Sequence, residues 1–475
     1  MAPPRSPVSA FVARRRALQA RLAGPALLAA GQPQARNFRN NLHPFRASSH
    51  FLYFLGTPIP GAALLFARGE VQLFAPAHEA DDALWHGAQP SFAEIQATHQ
   101  LDAVRPLEEL AGALRDAGGS QATAATAATL PTEDAASSAW LSEVLGRSIR
   151  PGTGHTIAEG TPDHALALAV IALRSSHDEA AVAQLRAAAE ASAQAHVVGM
   201  RATRGARFEW EIAAAMTGEL RRHHLEDAYG PIVTVHGEVL HNRSQDNPIA
   251  AGDLVLADVG GESAEGWAAD ITRVWPVSGR FSPTQRAIYE VVLAAQEAAI
   301  ALVKKGTRYR AIHETAGRTL VAGLRDLGIF KGDVDGLYER GAAAIFFPHG
   351  VGHLLGLDVH DMEDLGDRAA YAPGRARSTR FGDCYLRLDL DLAPGMAVTI
   401  EPGFYQVPAI LADAALTGPL GADLDRGALA RFADVRGIRI EDDVLCTEGE
   451  PEVLTRAAPK TIAAVEAATV GAAGQ

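Results

Sequence analysis

Five acidic and imidazole side chains in the second half of the chain each lie within or at the end of an apolar stretch. They are Asp258 in LADVGG, Asp270 in AADITR, His353 in FFPHGVGHLLG, Glu401 in VTIEPGFY and Glu441 in GIRIEDD. A lone charge is costly to bury in such a stretch, and four carboxylates brought together repel one another unless cations lie between them. Two divalent metal ions about 3.5 Å apart would neutralise that charge and would support metal-assisted hydrolysis.

The two aspartates are expected at the ends of neighbouring strands. Asp258 and Asp270 are twelve residues apart, with a Gly-rich turn between two strand-like runs. Period-two alternation places Asp258 on the face of Leu254 and Leu256, and Asp270 on the face of Thr272. Each aspartate alone could be a turn residue. As a pair on adjacent antiparallel strands they could hold one cation between them, which favours a metal site.

The remaining candidates are also open to more than one interpretation when taken singly. His349 and His353 are four residues apart, so an extended strand would place both on one face. Only one of them would normally bind a metal, and His349 could instead be a core imidazole that is hydrogen-bonded to the backbone. Glu401 and Glu441 could each be a surface glutamate in a turn.

These segments resemble the metal-binding segments of the proline-specific pita-bread metallopeptidases, family M24B. Its members are the Xaa-Pro aminopeptidases (aminopeptidase P) and the Xaa-Pro dipeptidases (prolidases). The ligands of that family follow the order Asp, Asp, His, Glu, Glu, which is the order of Asp258, Asp270, His353, Glu401 and Glu441 here. The resemblance extends over roughly residues 36–460 and is most specific in the second half.

The resemblance implies a role for each of these residues and for four others. It makes Glu441 the bridge between two metals, and it makes Glu401 a ligand that also carries a proton from the water to the leaving amine. Three histidines are placed beside the substrate or the tetrahedral intermediate: His241, His349 and His360. Three imidazoles around an oxyanion are a physically sensible set of donors. Arg439 would lie near the substrate, or would form a salt bridge to a ligand carboxylate.

The donor set limits the choice of metal. A shell of four carboxylates and one imidazole is hard and suits Mn²⁺, although Co²⁺ or Zn²⁺ can also occupy it. The sequence contains no HExxH motif and no GxSxG nucleophile elbow, so these signatures of other hydrolases give no competing site.

A chain of 475 residues is long enough for two domains that each bury a core. The resemblance predicts an aminopeptidase P-type α/β domain over residues 1–174 and an α+β pita-bread catalytic domain over residues 175–475. The boundary near Arg174 precedes an Ala-rich stretch that ends at Ala202. The aromatic-rich segment 37–55 resembles the N-terminal domain of this family and argues against a methionine aminopeptidase, which lacks such a domain.

Apolar periodicity predicts several secondary-structure elements. Helices are predicted at residues 11–22, over the Ala-rich stretch that ends at Ala202, at 283–304 and at 308–327; strands are predicted at 26–30, 51–55, 62–66 and 71–74. Residues 346–357 resemble the active-site strand of the family, which implies a strand there. The Ala-rich and Thr-rich segment 117–138 is interpreted as helix with exposed loops.

Composition excludes some partners. The net charge of −13 argues against a nucleic-acid or anionic-membrane partner. The two cysteines, Cys384 and Cys446, fit a reducing compartment, and the longest apolar run, residues 165–173, is too short to span a membrane. We therefore expect a cytoplasmic protein, and the resemblance implies a homodimer or a higher homo-oligomer.

The substrate expected from the resemblance is an Xaa-Pro dipeptide or a peptide with proline in second position. Residues 406–435 form an insertion like that of the larger prolidases, and the segment before His241 lacks the usual Gly-Ser-Gly-Glu-Asn run, so the motifs leave aminopeptidase and dipeptidase open. The alternatives are a pita-bread protein that has become an inactive binding or interaction protein, and a metal-free creatinase-like enzyme. Both are disfavoured because all five ligands and the histidines are present.

Overall fold

The computed structural model describes residues 3–78, 82–117 and 126–470. Its Cα positions group into two compact units. One unit comprises the described residues of Arg5–Ala180 together with Met362–Ala369. The other comprises those of Met1–Pro4, Ala181–Asp361 and Ala370–Gln475. The domain boundary at residue 174 stays a prediction; nothing in the sequence indicated that Met362–Ala369 groups with the first part of the chain.

The N-terminal unit contains a mixed five-stranded sheet. Its helices and strands are α1 (Val8–Gln19), β1 (Ala26–Ala29), α2 (Ser49–Leu55), β2 (Ala63–Ala67), β3 (Glu70–Ala75), α3 (Asp82–His86), α4 (Phe92–His99), β4 (Ala103–Pro106), α5 (Leu110–Ala117), β5 (Ala128–Thr129), α6 (Ala135–Leu145) and α7 (Pro162–Arg174). The strand order is β4-β3-β2-β1-β5, with β1 antiparallel to β2 and parallel to β5. Leu27, Leu65 and Phe74 lie in the core between this sheet and α5 and α6.

One prediction fails in this unit, and another fails in part. The run 51–55, predicted as a strand, lies in helix α2, which ends at Gly56 in the left-handed conformation (φ 74°). All seven residues of α2 are buried, so the run has no alternation that would separate a strand from a buried helix. In the segment 117–138, residues 118–125 lie outside the described residues. Ala128–Thr129 pairs with β1 as strand β5 instead of forming helix, whereas the residues from Ala135 onward are helical in α6.

The rest of the chain contains longer helices and several small sheets, and it includes residues 362–369, which group with the N-terminal unit. Its elements are α8 (Glu179–Ala202), α9 (Glu209–Arg222), β6 (Glu226–Asp227), β7 (Ile232–Thr234), β8 (Leu254–Asp258), β9 (Gly261–Glu262), β10 (Thr272–Pro276), α10 (Pro283–Ile300), α11 (Tyr309–Asp326), α12 (Val334–Glu339), α13 (Ala342–Phe346), α14 (Asp367–Ala370), β11 (Ala397–Ile400), β12 (Gly403–Tyr405), α15 (Pro408–Ala412), α16 (Ala414–Thr417), α17 (Arg426–Ala430), β13 (Gly437–Arg439), β14 (Asp442–Leu445), β15 (Glu452–Val453) and α18 (Ile462–Val470). The sheets are β10-β8-β7, β11-β14-β15, β12-β13 and β6-β9.

The predicted helices at 283–304 and 308–327 are confirmed as α10 and α11. Helix α10 begins with a capping box in which Ser282 and Gln285 satisfy each other's backbone N–H groups. The predicted strand within 346–357 is wrong. Helix α13 ends at Phe346, and the following segment forms no regular strand. It hydrogen-bonds to residues 397–401 through the backbone of Val351, His353 and Leu355, with one bridge between Leu354 and Val398. Among the described residues, no helix has the length and apolar character that crossing a membrane requires.

Candidate metal centre

Two aspartates enter the centre from the β8–β10 hairpin. Asp258 is the last residue of β8 and lies opposite Thr272, the first residue of β10. Asp270 precedes β10 by two residues and so lies outside the strand that was expected to carry it, although Asp270 and Thr272 both reach Glu441. Gly260 makes this geometry possible, because a Cβ there would overlap the carbonyl oxygen of Ala269. The aspartates therefore face each other across a turn that closes tightly.

The two glutamates also lie at strand ends. Glu401 follows β11 directly, and Glu441 lies between β13 and β14. The Glu441 carboxylate accepts a hydrogen bond from Thr272 Oγ1 at 2.6 Å. Because β14 pairs with β11 in register Ile400↔Asp442, the two glutamates lie at the same edge of the sheet.

His353 approaches from a loop instead of a strand. Its backbone N–H donates to Thr399 Oγ1 at 3.1 Å, and its Nδ1 lies 3.0 Å from the carbonyl oxygen of Leu354. A proton on Nδ1 leaves Nε2 as the ligand nitrogen. Nε2 lies 3.5 Å from Asp270 Oδ2 and 3.7 Å from Glu401 Oε1, so it faces the carboxylates.

The structure brings all five expected metal ligands together. Three groups of side chains have ligand atoms that all lie within 4.8 Å of one another: Asp258 with Asp270 and Glu441, His353 with Glu401 and Glu441, and Asp270 with His353 and His360. Glu441 belongs to the first two groups, the position that a bridging ligand requires. His360 was expected only beside the substrate, yet one of its nitrogens also lies within reach of Asp270 and His353.

The electrostatics of the cluster fit divalent cations. Burial raises the pKa of Asp258 to about 6 against the charge of Arg439, and it raises the pKa of Glu401 to about 8. The pKa of Glu441 lies well above its usual value because of burial and then the charges of Asp270 and Glu401. The buried Asp258 Oδ1 has no hydrogen-bond partner among the described residues. Three carboxylates that resist ionisation, together with a buried oxygen left unpaired, are suited to cation binding.

Arg439 and Tyr405 link the cluster to His349. The Arg439 guanidinium donates to Asp258 Oδ2, to Thr272 Oγ1 at 2.8 Å and to the Tyr405 hydroxyl at 3.0 Å. Arg439 therefore makes the salt bridge to a ligand carboxylate that was one of its two expected roles. The Tyr405 hydroxyl lies 2.9 Å from His349 Nε2, and His349 Nδ1 lies 2.8 Å from the Gly350 carbonyl oxygen.

His349 is neutral in this arrangement. Burial, and then the charge of Arg439, lower the pKa of His349 to about 3. The neutral imidazole donates from Nδ1 to Gly350 and accepts from Tyr405 at Nε2. Both nitrogens are thus engaged, and the backbone hydrogen bond of the alternative interpretation is present.

A cavity of about 520 Å³ opens onto these groups. The five candidate ligands line it together with Arg439 and the three histidines predicted to contact the substrate: His241, His349 and His360. The rings of His353 and His360 lie 4.1 Å apart between centroids. Apolar side chains complete the wall, among them Leu240, Pro348, Phe381 and Ile410. The cavity therefore offers an apolar surface beside a charged centre, which is the usual make-up of a small-ligand site.

Two residues of the centre were missed from the sequence. The Tyr229 hydroxyl donates to Asp270 Oδ1 at 2.5 Å, but Tyr229 precedes Asp270 by 41 residues and no local pattern marks it. Tyr405 lies in the EPGFY motif, four residues after Glu401. That spacing was a usable signal, because alternate residues of an extended segment point the same way.

Two family models match this chain. The model of metallopeptidase family M24 matches residues 183–448, and the model of the aminopeptidase P N-terminal domain matches residues 11–125. A probable Xaa-Pro aminopeptidase of Aspergillus fumigatus is 34% identical over 436 residues, which cover 89% of this chain and 87% of the relative. One of Penicillium rubens is 34% identical over 437 residues, which cover 89% and 88%.

Solved structures show the same architecture. The aminopeptidase PepP of Pseudomonas aeruginosa superposes with a TM-score of 0.80 at 31% identity over 98% of both chains. Escherichia coli aminopeptidase P with the inhibitor Pro-Leu gives a TM-score of 0.80 at 28% identity, over 98% of this chain and 99% of that one.

The chain therefore belongs to metallopeptidase family M24, on the α+β pita-bread fold with an aminopeptidase P-type N-terminal domain. Within that family it belongs with the Xaa-Pro aminopeptidases. The predictions of fold class and of a metallopeptidase are confirmed, and the inactive alternative has no support.

Proposed function

We propose that this chain removes the first residue from peptides with proline in second position, using two divalent cations held by Asp258, Asp270, His353, Glu401 and Glu441. The observation that carries the proposal is the convergence of these five side chains on one cavity. The inhibitor of the Escherichia coli relative, Pro-Leu, supports a site shaped for proline-containing peptides.

The ligand groups suggest how two cations would be shared. One would lie among Asp258, Asp270 and Glu441, and the other near His353, Glu401 and Glu441, with Glu441 common to both groups. Bound there, the cations would polarise the scissile carbonyl and lower the pKa of a water molecule. Mn²⁺ suits the carboxylate-rich set, and Zn²⁺ or Co²⁺ can also occupy it.

The surrounding side chains would handle protons and orient the peptide. Glu401 lies 3.7 Å from both His349 Nδ1 and His353 Nε2. It would take the proton of the attacking water and deliver it to the prolyl nitrogen, which needs a proton as the C–N bond breaks. His241 and His360 would donate to the developing oxyanion. His349 could donate to the peptide only by exchanging its contact with Gly350 or Tyr405.

We propose an aminopeptidase over a dipeptidase, since the relatives are named as aminopeptidases. The test compares hydrolysis of Gly-Pro with that of a longer Gly-Pro peptide, with a Gly-Ala peptide of equal length as control. We expect release of glycine from the longer Gly-Pro peptide and little from the Gly-Ala peptide. Cleavage of Gly-Pro alone, or equal cleavage of the Gly-Ala peptide, would refute the proposed specificity.

We also propose a homodimer and a cytoplasmic location. The N-terminal unit exposes Phe38, Leu84 and Trp85, whose exposed fractions are 61%, 76% and 71%, and exposed apolar groups of this size are common at subunit interfaces. Both cysteines, Cys384 and Cys446, are free thiols, which suits a reducing compartment. Sedimentation velocity at micromolar concentration tests the dimer, and a monomer that retains full activity contradicts it. Fractionation of expressing cells tests the location.

A further inference from the structure

Helix α8 runs behind the turn that carries the two ligand aspartates. Ser192, His196 and Thr203 recur at spacings of four and seven residues along one side of this helix and the residue that follows it, the spacing of a single helix face. All three are buried. Ala193 of the same helix packs against Ile271, the residue after Asp270.

Two of these side chains hold the backbone of the aspartate turn. His196 Nε2 lies 3.0 Å from the carbonyl oxygen of Val259, the residue after Asp258. Ser192 Oγ accepts a hydrogen bond from the Gly261 N–H at 3.0 Å. Because a carbonyl oxygen can only accept, the His196 proton lies on Nε2.

The contact of His196 continues to the second aspartate. The Val259 N–H donates to the carbonyl oxygen of Ile271 at 3.0 Å. A chain of hydrogen bonds therefore runs from His196 through Val259 to Ile271, and it passes beside both Asp258 and Asp270. His196 touches neither carboxylate, but this chain links it to the backbone beside both.

We propose that His196 and Ser192 are positioning residues for the metal centre, which set the separation of Asp258 and Asp270 through the backbone of the turn. The inference rests on the proposed metal site. Groups that orient ligands in this way typically change metal affinity by roughly 10-fold to 100-fold when removed.

The chain offers a matched control in Thr203. Its Oγ1 accepts a buried hydrogen bond from Trp275 Nε1 at 2.8 Å. Trp275 lies three residues beyond Thr272 along β10, away from the ligand end of the strand. Thr203 Oγ1 also donates to the Gly199 carbonyl oxygen at 2.9 Å. Thr203→Val thus removes two buried hydrogen bonds on the same side of the helix without touching the aspartate turn.

The test measures Mn²⁺ affinity of the full-length chain after chelator treatment, by following free Mn²⁺ with electron paramagnetic resonance. We expect His196→Leu and Ser192→Ala to weaken Mn²⁺ binding by roughly 10-fold or more. His196→Gln retains a donor near the Nε2 position and should recover most of the affinity. Thr203→Val should lower Tm with little change in Mn²⁺ affinity.

A second readout separates positioning from general loss of stability. The visible spectrum of the Co²⁺-loaded chain reports ligand geometry, so His196→Leu should shift it and Thr203→Val should not. Wild-type Mn²⁺ affinity in His196→Leu, or an equal loss in Thr203→Val, overturns the inference while leaving the proposed function intact. If His196→Leu does not fold, the Mn²⁺ affinity of Ser192→Ala is compared with that of Thr203→Val instead, with the same outcomes. Failure of the wild-type chain to bind Mn²⁺ overturns the metal site and this inference together.

Discussion

Glu441 and Asp442 are adjacent buried carboxylates that should respond to neutralisation in opposite ways. Asp442 is paired: Arg273 donates to its Oδ1 at 2.6 Å, and Lys460 to its Oδ2 at 2.8 Å. Burial opposes its ionisation, but the charges of Arg273 and Lys460 prevail and lower its pKa. Burial raises the pKa of Glu441, and the charges of Asp270, Glu401 and Asp258 raise it further. Of the two carboxylates, only Glu441 should therefore need bound metal ions to balance its charge.

These contacts set the expected change in unfolding free energy for each substitution. Asp442→Asn leaves Arg273 buried without its counter-charge, which costs about 3–5 kcal/mol of unfolding free energy with or without metal. Glu441→Gln keeps an oxygen that can accept from Thr272 and removes a charge that its neighbours repel. The metal-free Glu441→Gln protein should therefore be as stable as wild type within about 1 kcal/mol, the size of one hydrogen bond, or more stable.

Adding Mn²⁺ should make the wild-type protein more stable than Glu441→Gln. Wild type should gain about 2.7 kcal/mol for each site when Mn²⁺ is present at 100 times Kd. Glu441→Gln should gain much less, because the ligand common to both sites is lost, and its peptidase activity should fall by several orders of magnitude. The assay is urea denaturation at pH 8, in chelator and in Mn²⁺. If Glu441→Gln destabilises the metal-free protein as much as Asp442→Asn does, the account of Glu441 as a repelled carboxylate is wrong.

Two further predictions concern the histidines and pH. His349→Ala and His360→Ala should each lower kcat by roughly 10² while keeping two metals per chain, whereas His353→Ala should lose one metal. Analysis of the metal content of the three variants tests this. Loss of metal from His349→Ala, with two metals kept in His353→Ala, would show that His349 and not His353 is the ligand. Burial raises the pKa of Glu401 from 4.5 to about 8, so the folded metal-free chain holds a proton there that the unfolded chain releases. The free energy of unfolding that the protonated Glu401 contributes should therefore fall as pH rises from 4.5 to 8. Denaturation in chelator across this range should show a decline that Glu401→Gln reduces, and an equal decline in both proteins would contradict the assignment.

The convergence of the five ligand candidates could be predicted because each lies in a short segment with its own signal. Asp258 follows an apolar strand before a Gly pair, and Glu401 precedes Pro402 and Gly403. Such signals are local, and their order matches that of a known family. The same locality explains why helix α10 was found, since its capping residue Ser282 and its apolar period lie within one segment.

The errors arise where distant contacts decide the conformation. The loop around His353 was predicted as a strand, but Gly352 adopts φ 151° and lies so close to Thr399 that a Cβ would overlap its carbonyl oxygen. The helix α2 was predicted as a strand because its buried residues show no period. The contacts of Tyr229 with Asp270 and of Tyr405 with His349 join residues 41 and 56 positions apart, beyond any local pattern.

The most direct test of the central claim is a titration of the chelator-treated chain with Mn²⁺, followed by release of the first residue from an Xaa-Pro peptide. The claim is that the carboxylates and His353 hold two cations that make this centre a peptidase. Activity should be absent without metal and should rise until two equivalents of Mn²⁺ are bound. Full activity in the metal-free chain, or metal binding at the five ligands with no hydrolysis of any Xaa-Pro peptide, would contradict the account.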